Sequence, residues 1–217
     1  MPQELSNRDL LRFLQNSQLE AGFFDRLKIQ YRPLICPFVS LLKMIPDGAR
    51  VGDVGCGSGQ FLLLASNFAK PSFLYGIEIH AHLIENAKKL LPENQNNKSH
   101  FEVYDGINFP EALSEMDIIF LIDVLHHVPK KVQPQFLTNL LRSMKPNAKL
   151  IVKDIDASSP LVIFNKLHDL IFSHEVGNEL SSKAVYSLLS ENKMEMLDLQ
   201  KKNTYVYPHY TIVAKKA

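Results

Sequence analysis

Val51-Gly52-Asp53-Val54-Gly55-Cys56-Gly57-Ser58-Gly59 opens as an apolar run and leads straight into Gln60-Phe61-Leu62-Leu63-Leu64. A short apolar stretch, a glycine-rich turn and a longer apolar stretch in that order read as strand, loop and helix. Three glycines at alternate positions allow the backbone to approach a ligand closely, because no Cβ stands in the way. The bend alone would need only one or two. The spacing is G-x-G-x-G with Asp53 two residues ahead of Gly55. It has neither the lysine of a P-loop nor the G-x-G-x-x-G of a dinucleotide site, so a pyrophosphate fits it poorly. Nor is Ser58 the serine of a G-x-S-x-G nucleophile elbow, since position 56 is cysteine and position 60 glutamine.

Outward from this loop, short apolar runs alternate with amphipathic stretches: FLLLASNF, FLYGIEI, LIENAKKLL, HFEVY, DIIFLI, FLTNLLRSM and AKLIVKD. Strand and helix repeat with crossover lengths that favour parallel pairing, so an α/β sheet of at least five parallel strands is expected. Residues 5–44 read as short helices broken by Pro33 and Pro37. After Ile155 the pattern is helical over about 160–190, then MEMLDLQ and HYTIVAK read as an antiparallel hairpin closing the sheet edge. The expected organisation is one domain over 1–217: a helical cap (1–46), a ligand-binding core (47–156), a helical insertion (157–193) and a terminal strand pair (194–217). The fold class is α/β, with a mostly parallel seven-stranded sheet, helices on both faces and an antiparallel C-terminal strand.

The 217 residues include 24 Lys+Arg against 23 Asp+Glu, a formal charge of +1. That balance supplies no phosphate-tracking surface, and nucleic acid is not the expected partner. Cys36 and Cys56 form no CxxC pair and suit a reducing, cytoplasmic setting. No run approaches the roughly 20 apolar residues that span a bilayer, so no integral membrane segment is expected.

Taken together, the acid-x-G-x-G-x-G loop and the elements around it, over about 50–155, resemble the class I S-adenosylmethionine-dependent methyltransferases, with the Rossmann-like fold of that family. The resemblance implies S-adenosyl-L-methionine as cofactor and S-adenosyl-L-homocysteine as product. It gives the methionine part of the cofactor to the loop residues Gly55, Cys56, Gly57 and Gly59, and the cofactor's amino group to Asp53. Gly52 departs from the family, which usually has a bulky apolar residue there. Glu78 ends the second strand 19 residues beyond Gly59, with Ile79 next to it. A carboxylate at that place can accept both hydroxyls of a ribose, as in dinucleotide folds. Asp105, followed by Gly106, resembles the family residue that reads the adenine amino group, although Asp-Gly is also an ordinary turn.

The fourth apolar run ends in Asp123-Val124-Leu125-His126-His127-Val128-Pro129, and ligands of open α/β sheets bind beyond such strand ends. Asp123 is expected to meet cofactor or acceptor. His126, His127 and Asp154 are the candidates for a catalytic proton acceptor, with Asp156 on the same side as Asp154 if the chain stays extended. Asn165, His168, Asp169 and Phe172 share one helix face, which serves a pocket or solvent. Phe23, Phe24, Tyr31 and Arg32, with Tyr205, Tyr207, His209 and Tyr210, could form an aromatic lid or plain packing. His80, His82, His126 and His127 match no metal-ligand spacing, and no metal is expected.

The activity expected is in-line methyl transfer to an oxygen, nitrogen or carbon of a small molecule, aromatic or lipid-like given the aromatic flanks. No acceptor loop of the adenine-methylating kind is present, nor the Pro-Cys of cytosine-carbon enzymes. The alternatives are a non-catalytic cofactor-binding module and a nicotinamide dehydrogenase.

Overall fold

The computed structural model describes residues 5–16, 32–92, 98–172 and 177–217. Seven strands form one sheet in the order β3-β2-β1-β4-β5-β7-β6. They are β1 (Arg50–Val54), β2 (Phe73–Glu78), β3 (Ser99–Val103), β4 (Ile118–Ile122), β5 (Lys149–Ile155), β6 (Met194–Thr204) and β7 (Tyr207–Lys216). The first five run parallel, and β7 is antiparallel to both β5 and β6. The chain order reverses at β1 and β4, so the crevice between them opens at their carboxyl ends.

Alternation along the strands sends side chains to two separate cores. On one face Val51, Phe120 and Ile151 pack with α1 (Asn7–Asn16), α2 (Phe38–Leu42), α3 (Gln60–Phe68) and α4 (Ala81–Leu90). On the other, Val54, Leu121 and Val152 pack with α5 (Gln133–Ser143) and α7 (Ser182–Glu191). Between them α6 (Val162–Phe172) follows β5. Helices on both faces account for the continuous apolar reading of β4, whose five residues are all buried.

The departure at Gly52 has a packing cause. A Cβ there would lie 3.1 Å from Met116 and 3.2 Å from Ile119, so the short 3₁₀ segment Glu111–Glu115 and its following methionine close onto bare backbone. At the other end of the chain the hairpin is longer and tighter than the sequence suggests. β6 and β7 meet at Tyr205-Val206 alone, and Tyr205 takes φ 54°. Pro208 lies inside β7, one residue past its last pair with β5, where it needs no N–H and offers its carbonyl to Asp156 N at 2.7 Å. Of the expected lid, Tyr210 is a core residue, and Phe23, Phe24 and Tyr31 lie outside the described residues. So do the side chains of His168, Asp169 and Phe172.

Close packing behind the loop makes a direct test available. A Cβ on Gly76 in β2 would fall 2.6 Å from the Phe101 ring and 2.9 Å from Cys56 Sγ. Gly76→Ala is therefore expected to lower the unfolding free energy by about 1–3 kcal/mol, read as a lower urea midpoint at unchanged m-value.

Candidate functional site

The glycine loop is laced to the neighbouring strand. Gly55 N and Cys56 N both donate to Ile77 O, at 2.8 and 3.0 Å, and Gly57 N donates to Glu78 Oε2 at 3.2 Å. Gly55, Gly57 and Gly59 all have positive φ. At Gly55 this is combined with contact, since a Cβ would sit 2.4 Å from Val124 in the loop after β4. At Gly57, by contrast, a Cβ would meet nothing within 4 Å, so the loop leaves open space above its centre. Cys56 turns its thiol into the core, and burial pushes that thiol well above its ordinary pKa. What the cysteine presents to the loop is backbone.

Glu78, at the end of β2, is buried and held by main chain: Oε1 accepts from Ile79 N at 2.9 Å and His80 N at 3.2 Å, with His80 Nδ1 at 3.0 Å. Among the described residues Oε2 accepts only from Gly57, and it retains capacity for another donor. Ile79, next in the chain, is exposed, as is Ile107, and Gly106 abuts Ile79, its missing Cβ 3.4 Å from the isoleucine side chain. Asp105 closes its own turn, accepting from Ile107 N at 2.8 Å, Asn108 N at 2.6 Å and Asn108 Nδ2 at 2.7 Å. The Asn108 and Ile107 amides hold its exposed carboxyl below the usual range.

Asp53 occupies the middle of the crevice. It is 3% exposed, and its carboxylate makes no hydrogen bond or ion pair with any described residue. Burial raises its pKa to about 7; Arg32 nearby opposes the rise, and Glu78 adds to it. A carboxyl in that condition gains most from an incoming cation.

Asp123 is in the opposite state. It takes φ 55° immediately after β4 and lies 2.5 Å from Lys153 Nζ and 3.4 Å from Arg32 Nη2. Burial works against its charge, but Lys153 and Arg32 overcome that and hold the carboxyl far below the usual range. Lys153 is 1% exposed, and the same pairing keeps its ammonium charged in spite of burial. Lys153 is not among the expected site residues, although a lysine in the apolar run Leu150-Ile151-Val152-Lys153 signals a buried partner. Arg32, expected in a lid, instead belongs to a helical turn at 32–35 that crosses the strand ends.

The catalytic candidates divide. His126 is buried, with Nδ1 2.5 Å from Asp154 Oδ1, while its main-chain N–H donates to Asp154 Oδ2 at 3.2 Å. This pair ties the turn after β4 to the end of β5. Gln133 strengthens the tie, its side-chain amide lying 2.8–2.9 Å from the carbonyls of Leu125, Val128 and Asn178. His127 is exposed, its ring 4.1 Å from that of His126. Asp156 does not join Asp154. β5 ends at Ile155, and Asp156 accepts from Ser158 and from the N–H and hydroxyl of Ser182, with Lys201 at 2.8 Å. Asn165 bonds Glu179 at 3.1 Å and so faces a neighbouring segment.

Among the described residues no helix is long and apolar enough to cross a membrane. Comparison with known proteins adds three likenesses. The chain is 30% identical over 114 residues to a 2-methyl-6-phytyl-1,4-hydroquinone methyltransferase of Synechocystis, covering 52% of this chain and 34% of that protein. It is 29% identical over 113 residues to a tRNA (guanine-N(7)-)-methyltransferase of Prochlorococcus marinus, covering 46% and 54%. This chain thus spans about half or less of the length of these curated relatives. The tRNA-modifying relative also removes the ground for setting nucleic acid aside on charge alone. The crystal structure of magnesium protoporphyrin IX methyltransferase from Synechocystis with bound SAH superposes with a TM-score of 0.69, at 16% identity, covering 99% of this chain and 96% of that one, which is a likeness of fold. A family model described as a methyltransferase domain matches residues 45–208. Carrying the glycine loop, the two acids beside it and this sheet order, the chain belongs to the class I S-adenosylmethionine-dependent methyltransferase family.

Proposed function

We propose that the chain transfers the methyl group of S-adenosylmethionine to a small molecule, with an aromatic hydroxyl as the accepting group, and that it works as one domain in the cytoplasm. The observation that carries the reading is Asp53, a buried carboxylate with no partner among the described residues, beside a loop whose centre is open at Gly57. Both features fit this donor: an α-ammonium group would pair with Asp53, and the methionine part would lie along Gly55, Cys56, Gly57 and Gly59. Glu78 would take the ribose hydroxyls through the free capacity of Oε2. Ile79 and Gly106 would flank the base, with Asp105 at its edge. The hydroquinone-methylating relative supports an aromatic acceptor, and a ubiquinone biosynthesis O-methyltransferase of Rickettsia conorii, 26% identical over 156 residues, supports oxygen as the accepting atom.

The donor's sulfonium supplies an electrophile that needs no metal. The chain's task is then to orient the acceptor in line and exclude water. Asp123, neutralised by Lys153 and Arg32, anchors the acceptor side of the crevice, and the His126–Asp154 pair holds the β4 turn in place. His127, exposed beside it, is the candidate of the three that could reach a bound acceptor. A nucleic-acid acceptor is the second reading, favoured by the tRNA-modifying relative. Labelled donor offered to a low-molecular-weight extract and to total tRNA separates the two by which fraction gains label.

Calorimetry with S-adenosylhomocysteine tests the site itself. Saturable binding is expected, and Glu78→Ala should weaken it by about ten- to a hundredfold, the worth of charge-assisted hydrogen bonds. No heat at millimolar ligand would sink the assignment. Asp53 makes the affinity depend on pH, because only its ionised form pairs with an ammonium. Its raised pKa of about 7 means that affinity should fall about tenfold per pH unit below 7, and level off above it. Asp53→Asn should bind more weakly and lose that dependence.

A further inference from the structure

His209 lies on β7 opposite Ile155, on the face shared with Lys153 and the turn at 32–35. It is 4% exposed. Its Nε2 is 2.6 Å from Ile35 O. A carbonyl only accepts, so Nε2 carries the hydrogen and, in the neutral ring, Nδ1 is a bare lone pair. That Nδ1 is shut off from solvent and has no hydrogen-bond partner among the described residues. Buried acceptors are rarely left so, and each one calls for an explanation. Tyr207, two residues earlier, lies nearly parallel to the ring, with centroids 6.3 Å apart.

The position of the ring gives the orphan atom a use. The sheet order sets these side chains in a row across the strand ends, Glu78 on β2, Asp53 on β1, Asp123 after β4, Lys153 on β5 and His209 on β7, with Arg32 reaching Asp123 from the turn at 32–35. If the cofactor occupies the Glu78 and Asp53 end, His209 closes the acceptor end. We propose that His209 binds the acceptor's hydroxyl group, its Nδ1 taking the hydrogen of an aromatic alcohol while Nε2 stays committed to Ile35. This rests on the methyl-transfer reading above and adds to it a residue and a ligand class.

In the reaction a lone pair of the acceptor oxygen forms the new C–O bond as the S–CH₃ bond breaks, and the electrons of that bond stay on sulfur. The proton leaves the oxygen for Nδ1, which yields a methyl ether, a neutral thioether and an imidazolium that later returns its proton to water. The charged groups whose fields act on the ring are Lys153 and Asp154 on β5 and Asp123 after β4. Burial first, then Lys153, pushes the imidazole down to about 4, so it stays neutral at physiological pH. As the C–O bond forms, the hydroxyl proton becomes far more acidic, so even this weak base takes it while methyl transfer is under way.

Two substitutions separate the ring nitrogens. His209→Gln keeps an amide N–H within reach of Ile35 and places no lone pair where Nδ1 lies. His209→Asn is too short for Ile35 and puts its carbonyl oxygen near that place. With S-adenosylmethionine and 2-methyl-1,4-hydroquinone as the probe acceptor, His209→Gln is expected to lower kcat a hundredfold or more and His209→Asn less, both with unchanged S-adenosylhomocysteine affinity. A second arm needs no turnover. In the full chain saturated with S-adenosylhomocysteine and labelled with ¹⁵N-histidine, the probe should shift the Nδ1 resonance of His209 and leave Nε2 in place. The inference is overturned if His209→Gln keeps kcat within threefold of wild type, if the probe binds without moving Nδ1, or if millimolar probe does not bind. S-adenosylhomocysteine binding by the wild type is read separately: its absence defeats the methyl-transfer reading, whereas its presence beside an unmoved His209 defeats this inference alone.

Discussion

Carboxyl groups removed from water must be compensated, and the carboxyl ends of β1, β2, β4 and β5 carry four of them. The structure answers differently at each. Glu78 is bound by main-chain amides, Asp123 by two cations, and Asp154 by a histidine. Asp53 has none of these among the described residues, and its raised pKa expresses the cost. Three solved problems and one left open define a place where a cation is wanted. A sulfonium amino acid with a free ammonium group is a ligand of that kind.

Packing keeps the arrangement rigid. The loop is hydrogen-bonded to Ile77 and Glu78, so its glycines hold their shape without a ligand. Val124 presses on Gly55 from the β4 side, and Phe101 and Cys56 crowd Gly76 from behind. The Gln133 amide and the His126–Asp154 pair fix the turn after β4 to the helical face below it. Binding energy is therefore free to orient the reactants, since little of it goes into shaping the loop.

Much of this was legible in the chain. The loop could be placed between strand and helix because glycine spacing and the change of hydrophobic period are local signals, and the sheet with its terminal hairpin followed from the alternation of elements. Glu78 could be placed at a strand end for the same reason. The partners of Asp123 could not. Arg32 and Lys153 are 91 and 30 residues away in sequence, and nothing in the local pattern of either says that they meet. Asp156 misled for a related reason: alternation holds only while the chain is extended, and the strand stops one residue earlier.

The sequence by itself determined the order of strands and helices, the glycine loop between β1 and its helix, and the family, since each rests on residues within a few positions of one another. Only the tertiary structure decided the state of the acids and histidines at the strand ends: among the described residues Asp53 is unpaired, Asp123 neutralised, His126 tied down, and His209 has one nitrogen held and the other bare. Charge and proton affinity depend on what stands within a few ångströms, and folding brings together groups that the chain keeps far apart.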